Sequence, residues 1–148
     1  MKKRFFILVI VMLILISVAC KNDINKYDAK TYVIGDTVEN NGVRITVNST
    51  RWAYEDEKLQ NEEGYKWLVI DITISNKSNK SYYIWPTHFE MNNMFGEILS
   101  KEWLSQGIEP DKKVRGEVAF KVSKIMKDQE FIFNYNENEQ VVFILSNI

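Results

Sequence analysis

Residues 65–76 read Tyr65-Lys66-Trp67-Leu68-Val69-Ile70-Asp71-Ile72-Thr73-Ile74-Ser75-Asn76. Leu68, Ile70, Ile72 and Ile74 recur at every second position, with Asp71, Thr73 and Ser75 between them. That is the period of a β-strand with one face in a core and part of the other in water. The turn-forming run Asn76 to Lys80 closes it. In the first half of the stretch Tyr65, Trp67 and Val69 make the second face apolar too. A covering loop accounts for this; the alternative is an exposed patch in which Tyr65 and Trp67 join Trp52 as a partner-binding surface.

The same period continues on both sides. Val43, Ile45 and Val47 alternate with Arg44, Thr46 and Asn48, and the preceding Asn41-Gly42 predicts a hairpin over Thr37 to Val47. The core face is odd-numbered here, yet the next large apolar residues, Trp52 and Tyr54, are even. One extra residue reverses side-chain parity, so a β-bulge or strand break is expected within Asn48 to Arg51. Downstream, Tyr82 to Trp85 reads as a short strand stopped by Pro86. Phe89 to Met91 and Glu97 to Leu99 flank "NNMFG" as a hairpin. Val114, Gly116, Val118, Phe120 and Val122 line one face of a long strand entered through a turn at Pro110-Asp111. Phe131, Phe133 and Tyr135, then Val141 to Leu145, form the last pair; Ser123 to Gln129 could make a single helical turn. Seven to eight short strands with frequent turns predict an all-β, antiparallel sandwich.

At the other end of the chain, Lys2, Lys3 and Arg4 precede an apolar run from Phe5 to Ile16, and Ser17, Val18 and Ala19 lead to Cys20. This is the layout of a secretory signal peptide. A membrane-spanning helix needs about 20 apolar residues, and Phe5 to Ala19 is shorter. An uncleaved anchor, which snorkelling lysines and a thinned bilayer would allow, is the second reading. Cys20 is the only cysteine, and an unpaired thiol would be out of place in a secreted domain. Ile16 to Cys20 resembles the lipobox of bacterial lipoproteins, with Ser17 where leucine is usual; the resemblance implies diacylation of Cys20, which then begins the mature chain. More than one acyl chain gives stable anchoring where one is marginal. The expected organisation is a signal peptide over 1–19, a lipidated N-terminus and tether over 20–31, and one sandwich domain over 32–148. Loss of Lys2, Lys3 and Arg4 takes the formal charge from −1 to −4, so the basic footprint of a nucleic-acid binder is missing.

The segments "GDTVENNGVRITVNST" (35–50), "YKWLVIDITISNKSNKSYYI" (65–84) and "GIEPDKKVRGEVAFKVSK" (107–124), followed by "FIFNY" and "VVFIL", resemble the telokin-like, immunoglobulin-like domain of many bacterial lipoproteins, a family related to a secreted immunoprotective antigen. The resemblance spans about Ile34 to Leu145 and places the family's asparagine at Asn76. It implies an immunoglobulin-like sandwich on a surface lipoprotein, and it brings no catalytic or ligand-binding residues. The family has glycine where this chain has Asp111, which predicts a change from a turn needing positive φ to type I.

Catalytic motifs are sparse. His88 is the only histidine, so an HExxH zinc pair is ruled out, and neither a GxSxG elbow nor a phosphate-binding glycine loop occurs. His88, near Pro86, reads as a loop or edge residue. The acids Glu55, Asp56, Glu57, Glu62 and Glu63 read as a solvated loop; a weak calcium site or a glycosidase pair are the sharper alternatives. The aromatics Trp52, Tyr54, Tyr65, Trp67, Tyr82, Tyr83, Trp85 and Trp103 serve a core without disulfides, or in part a sugar- or protein-binding surface. The sequence therefore predicts a non-enzymatic, cofactor-free binding or accessory domain. It is held by lipid on Cys20 at the extracytoplasmic face of a bacterial membrane, and its partner is an envelope or extracellular protein or glycan. A glycan hydrolase using the Glu55 to Glu63 acids is the rival, and a structural subunit of an envelope complex the third reading.

Overall fold

The computed structural model describes residues 31–54, 59–60, 62–100, 107–124 and 128–146. The signal segment, Cys20 and all of the tether before Thr31 lie outside the described residues, as do Glu55, Asp56, Glu57 and Trp103. The strands are β1 (Thr31–Val33), β2 (Thr37–Asn40), β3 (Val43–Trp52), β4 (Tyr65–Asn76), β5 (Phe89–Met91), β6 (Met94–Phe95), β7 (Glu97–Ile98), β8 (Lys113–Ser123), β9 (Gln129–Asn136) and β10 (Glu139–Leu145), with one 3-10 turn at Pro86–His88. They form two five-stranded sheets, β1-β10-β9-β5-β6 (sheet A) and β2-β3-β4-β8-β7 (sheet B), packed as the expected sandwich. The count exceeds seven to eight because β1, β2, β5, β6 and β7 are only two to four residues long. One pair, β1 with β10, is parallel.

The core is where the alternating faces meet. Ile45, Leu68, Ile70, Ile72, Ile74 and Phe120 of sheet B close on Phe89, Met91, Phe131, Phe133, Phe143 and Leu145 of sheet A, all buried. The phenylalanines pack ring to ring: Phe120 meets Phe131 edge-on at 5.9 Å, and Phe133 meets Tyr135 at 4.9 Å. Such pairs contribute about 0.5–1.5 kcal/mol each beyond simple burial. Among the described residues only Asn76 and Gln129 are buried polar side chains. Asn76 is a junction: its Nδ2 donates to the carbonyls of Lys80 (2.6 Å) and Ile108 (2.7 Å), and its Oδ1 accepts from Ser78 N (2.9 Å) and Oγ (2.7 Å). It thereby ties the end of β4 to the chain leaving it and to the approach to β8.

The parity expectation for β3 holds. The register shifts between Val47 and Ser49, leaving Asn48 as the extra residue. Asn48 Nδ2 bonds Asp71 Oδ1 and Thr73 Oγ1 on the outer face, each at 3.0 Å. Three local expectations need correction. Tyr82 to Trp85 is no strand; Tyr82 makes only an isolated bridge to Ile108. Phe89 to Met91 pairs not with Glu97 to Leu99 but with Met94–Phe95, through a tight turn with Asn92 and Asn93 both at positive φ (53° and 59°). The chain then leaves for sheet B, where Glu97–Ile98 pairs with β8. Gly96 makes the crossing possible, since a Cβ there would stand 2.4 Å from Val118 Cγ2 and 2.6 Å from Phe120 Cζ. Finally, Asp111 keeps the glycine-like conformation with φ 60°, and Lys112 N closes the turn on Glu109 O at 3.0 Å. Asp tolerates this region better than most side chains, so the turn has not become type I.

Candidate functional site

The register places Trp52, Tyr65 and Trp67, which lie among the described residues. Trp67 and Tyr65 stand opposite Lys121 and Ser123 on the outer face of sheet B, whereas Trp52 stands opposite Leu68 on the core side. The three therefore do not form one surface: the bulge at Asn48 that turns Trp52 inward also separates it from Trp67. Trp52 is 36% exposed at the end of β3, with Lys66 Nζ 5.2 Å above its ring. The apolar half of the outer face is closed at Val69 and open at Tyr65, which is 41% exposed. Trp67 Nε1 donates to the Gln60 carbonyl at 3.0 Å, and Val69 is fully buried. Of the acidic loop, Glu62 holds Lys121 at 2.6 Å, and that ammonium also lies 5.7 Å from the Tyr65 ring.

His88 closes the 3-10 turn before β5. Its ring stacks on Tyr82 (centroids 5.6 Å) and meets Phe133 edge-on at 5.9 Å, and Trp85 N approaches its Nδ1 at 3.4 Å. Burial lowers the imidazole pKa, and it likewise raises that of the Tyr82 hydroxyl. This is a packed, neutral histidine positioning the entry to β5. Among the described residues, no group of three or more His, Cys, Asp or Glu side chains could hold a metal ion.

A surface the sequence reading passed over lies on the outer face of sheet A. There the registers align Thr31, Val142, Ile132, Glu90 and Phe95 in one row across all five strands. Val33 and Ile144 start the next row. Val142, Ile132 and Ile144 are half-buried, and the edges are open, with Val33 at 55% and Phe95 at 60% exposure. Beside Phe95 a shallow depression of about 320 Å³ is lined by Thr87, His88, Glu90, Asn134, Asn136 and Glu137. Asn134 Nδ2 reaches the Thr87 carbonyl at 3.3 Å. The arrangement offers an apolar strip with amide and carboxylate groups at one end, which suits binding. The signal existed in the sequence as Ile132, Val142 and Ile144, the residues alternating with the core positions. Period alone does not tell which strands lie side by side.

Comparison with known proteins agrees with this fold. Residues 32–140 match the family described as "Domain of unknown function (DUF4352)", and the chain belongs to that family. No curated protein matches the sequence. Among solved structures, the yjhA protein of Bacillus subtilis superposes with a TM-score of 0.58 at 17% identity, covering 78% of this chain and 100% of that one. The "putative lipoprotein (ycdA)" of Bacillus subtilis superposes with a TM-score of 0.56 at 16% identity, covering 75% of this chain but only 38% of that one. A β-sandwich protein of Clostridium difficile 630 reaches a TM-score of 0.50 at 14% identity, covering 80% of this chain and 97% of its own. At these identities the likeness concerns the fold.

Proposed function

We propose that this DUF4352 chain is a lipid-anchored, extracytoplasmic binding domain, and that the outer face of sheet A receives a partner protein. The observation that carries the reading is the outer row Thr31, Val142, Ile132, Glu90 and Phe95, whose adjacent Val142 and Ile132 and edge residue Phe95 present apolar side chains outward with Glu90 between them. A monomeric domain gains nothing from exposing Phe95 and Val33 beside them, and contiguous exposed apolar surface marks interaction sites. The lipobox-like segment ending at Cys20 supports the anchor, and the name of the Bacillus subtilis ycdA neighbour is in keeping with it.

Two measurements test the reading. Cys20→Ala should abolish palmitate incorporation, and equal labelling of both forms would end the anchor. A photo-crosslinking residue at Ile132 should capture a discrete partner in intact cells, while the same residue at Thr73, on the outer face of sheet B, should not. Equal products from the two positions would remove sheet A as the binding face.

A further inference from the structure

The two sheets differ in charge. The five strands of sheet A carry the acids Glu90, Glu130 and Glu139 and neither Lys nor Arg. The residues directly flanking β9 add Asp128 and Glu137, both exposed. Sheet B is mixed, and three of its acids, Glu39, Glu117 and Asp71, are met within the chain by Arg44, Arg51 and Arg115. On sheet A no such neutralisation occurs: among the described residues Glu90, Glu130 and Glu137 form no ion pair.

Two of these acids stand within the apolar strip. Glu90 lies between Ile132 and Phe95 in the row, and its carboxylate accepts from Asn134 Nδ2 at 3.4 Å. Glu130 stands opposite Ile144 and two residues along β9 from Ile132. With strands about 4.8 Å apart and about 3.4 Å per residue, the Glu90 and Glu130 Cα atoms are roughly 8 Å apart, with Ile132 at the corner between them. That pattern selects among occupants. A second copy docking through the same face would bring acids toward acids with no cation between them, and anionic headgroups would be repelled in the same way. Lysine and arginine suit both features of the strip, because their aliphatic stems lie along apolar surface while their charged heads reach a carboxylate. We infer that sheet A receives a basic protein segment in which Lys or Arg residues flank an apolar one. The apolar side chain rests on Ile132 and Val142, and the cations pair with Glu90 and Glu130. This pairing rests on the binding face proposed above.

The test uses the full chain in intact cells with the photo-crosslinking residue at Ile132. E90Q/E130Q should lower the yield of the crosslinked product roughly five-fold, whereas E63Q, at an exposed acid just before β4, should leave it unchanged. Thermal unfolding of the purified variants should match the parent. If E90Q/E130Q unfolds at a lower temperature, E130Q alone, at an exposed site, should still lower the yield about two-fold. Mass spectrometry of the product should find Lys or Arg on both sides of the crosslinked position of the partner, within about three residues. Equal yields with and without the two carboxylates, or a partner segment without basic residues, would overturn the basic partner and leave sheet A as the binding face. No discrete product from Ile132 in the parent would remove the face itself. A product with a second copy of this chain, with lipid, or with the chain's own residues 21–30, which include Lys21, Lys26 and Lys30, would overturn the basic partner as well.

Discussion

The outer faces of the two sheets are built from the same alternating strands and end differently. On sheet B the residues opposite the core are tied to one another. Asp71 accepts from Arg115 Nε at 3.0 Å and from Asn48, Arg51 grips Glu117 with two nitrogens at 2.9 and 3.1 Å, and Thr37 and Thr46 share a hydrogen bond at 2.7 Å. Where this face turns apolar, Val69 is fully buried and Trp67 is tied to the Gln60 carbonyl. On sheet A the corresponding positions include Val142, Ile132, Ile144 and Phe95 beside Thr31, Glu130, Glu90 and Asn134. The difference teaches that sheet B has completed its surface within the chain, while sheet A has left apolar area for another molecule. Five substitutions put that contrast at risk.

The largest effect is expected at Val69. Val69→Asp would place a carboxylate at a fully buried site whose cross-strand neighbour, Arg51, is already engaged by Glu117, and should cost about 3 kcal/mol in denaturant unfolding. The matched change on sheet A, Ile132→Asp, sits at a half-buried outer position and should cost no more than about 1–2 kcal/mol. Equal losses would mean that sheet A is as closed as sheet B, and the contrast would fail.

Trp67→Ser comes next. It removes a half-buried indole next to Val69 on the outer face and its bond to Gln60, and a loss of about 2 kcal/mol is expected. Unchanged stability with lost partner binding would move the functional surface to sheet B.

Asp71→Asn should be milder and dependent on pH. The Arg115 hydrogen bond, with Asn48 and the Arg115 charge behind it, holds the Asp71 carboxyl below the usual range. A lowered folded-state pKa contributes stability above the unfolded value, near 3.8, and that contribution is lost as pH falls toward the folded value. Near neutral pH the variant should lose about 1 kcal/mol, and the gap to wild type should narrow as pH drops below about 4. A pH-independent difference would assign the loss to packing.

The smallest stability effect belongs to Phe95→Ala. At 60% exposure on an edge strand the ring holds little of the fold, so thermal unfolding should shift by no more than about 0.5 kcal/mol. Crosslinking from Ile132 should nonetheless fall sharply. Loss of stability together with binding would make Phe95 a core residue in disguise.

Much of the fold was legible because its signals are local. The alternation in Leu68 to Ile74 and Val114 to Val122 gave strands whose core faces are the ones observed, and the Val47-to-Trp52 parity change located the bulge at Asn48. The hairpin over Phe89 to Leu99 was misread because a strand's period carries no information about its sheet. Glu97 and Ile98 have the pattern of a strand and obey it, but beside β8. The candidate site was legible only in fragments. Ile132, Val142 and Phe95 are unremarkable one by one, and their common row depends on three ladders set by tertiary pairing. Trp52 and Trp67, conspicuous by type, fall on opposite faces.

The sequence by itself determined the β class, the inward side of each long strand, the turns at Asn41-Gly42 and Asn76 to Lys80, and the lipobox-like seam at Cys20. All of these follow from side-chain period, backbone preference or a contiguous motif, which act over a few residues. Tertiary structure alone decided that β1 runs parallel to β10, that Gly96 carries the chain between sheets, and that Asn76 ties the end of β4 to the approach to β8. Only there did it emerge that one outer face is cross-linked while the other stays apolar. These outcomes depend on which distant segments come within hydrogen-bonding and packing distance, and that is settled by burying one shared core.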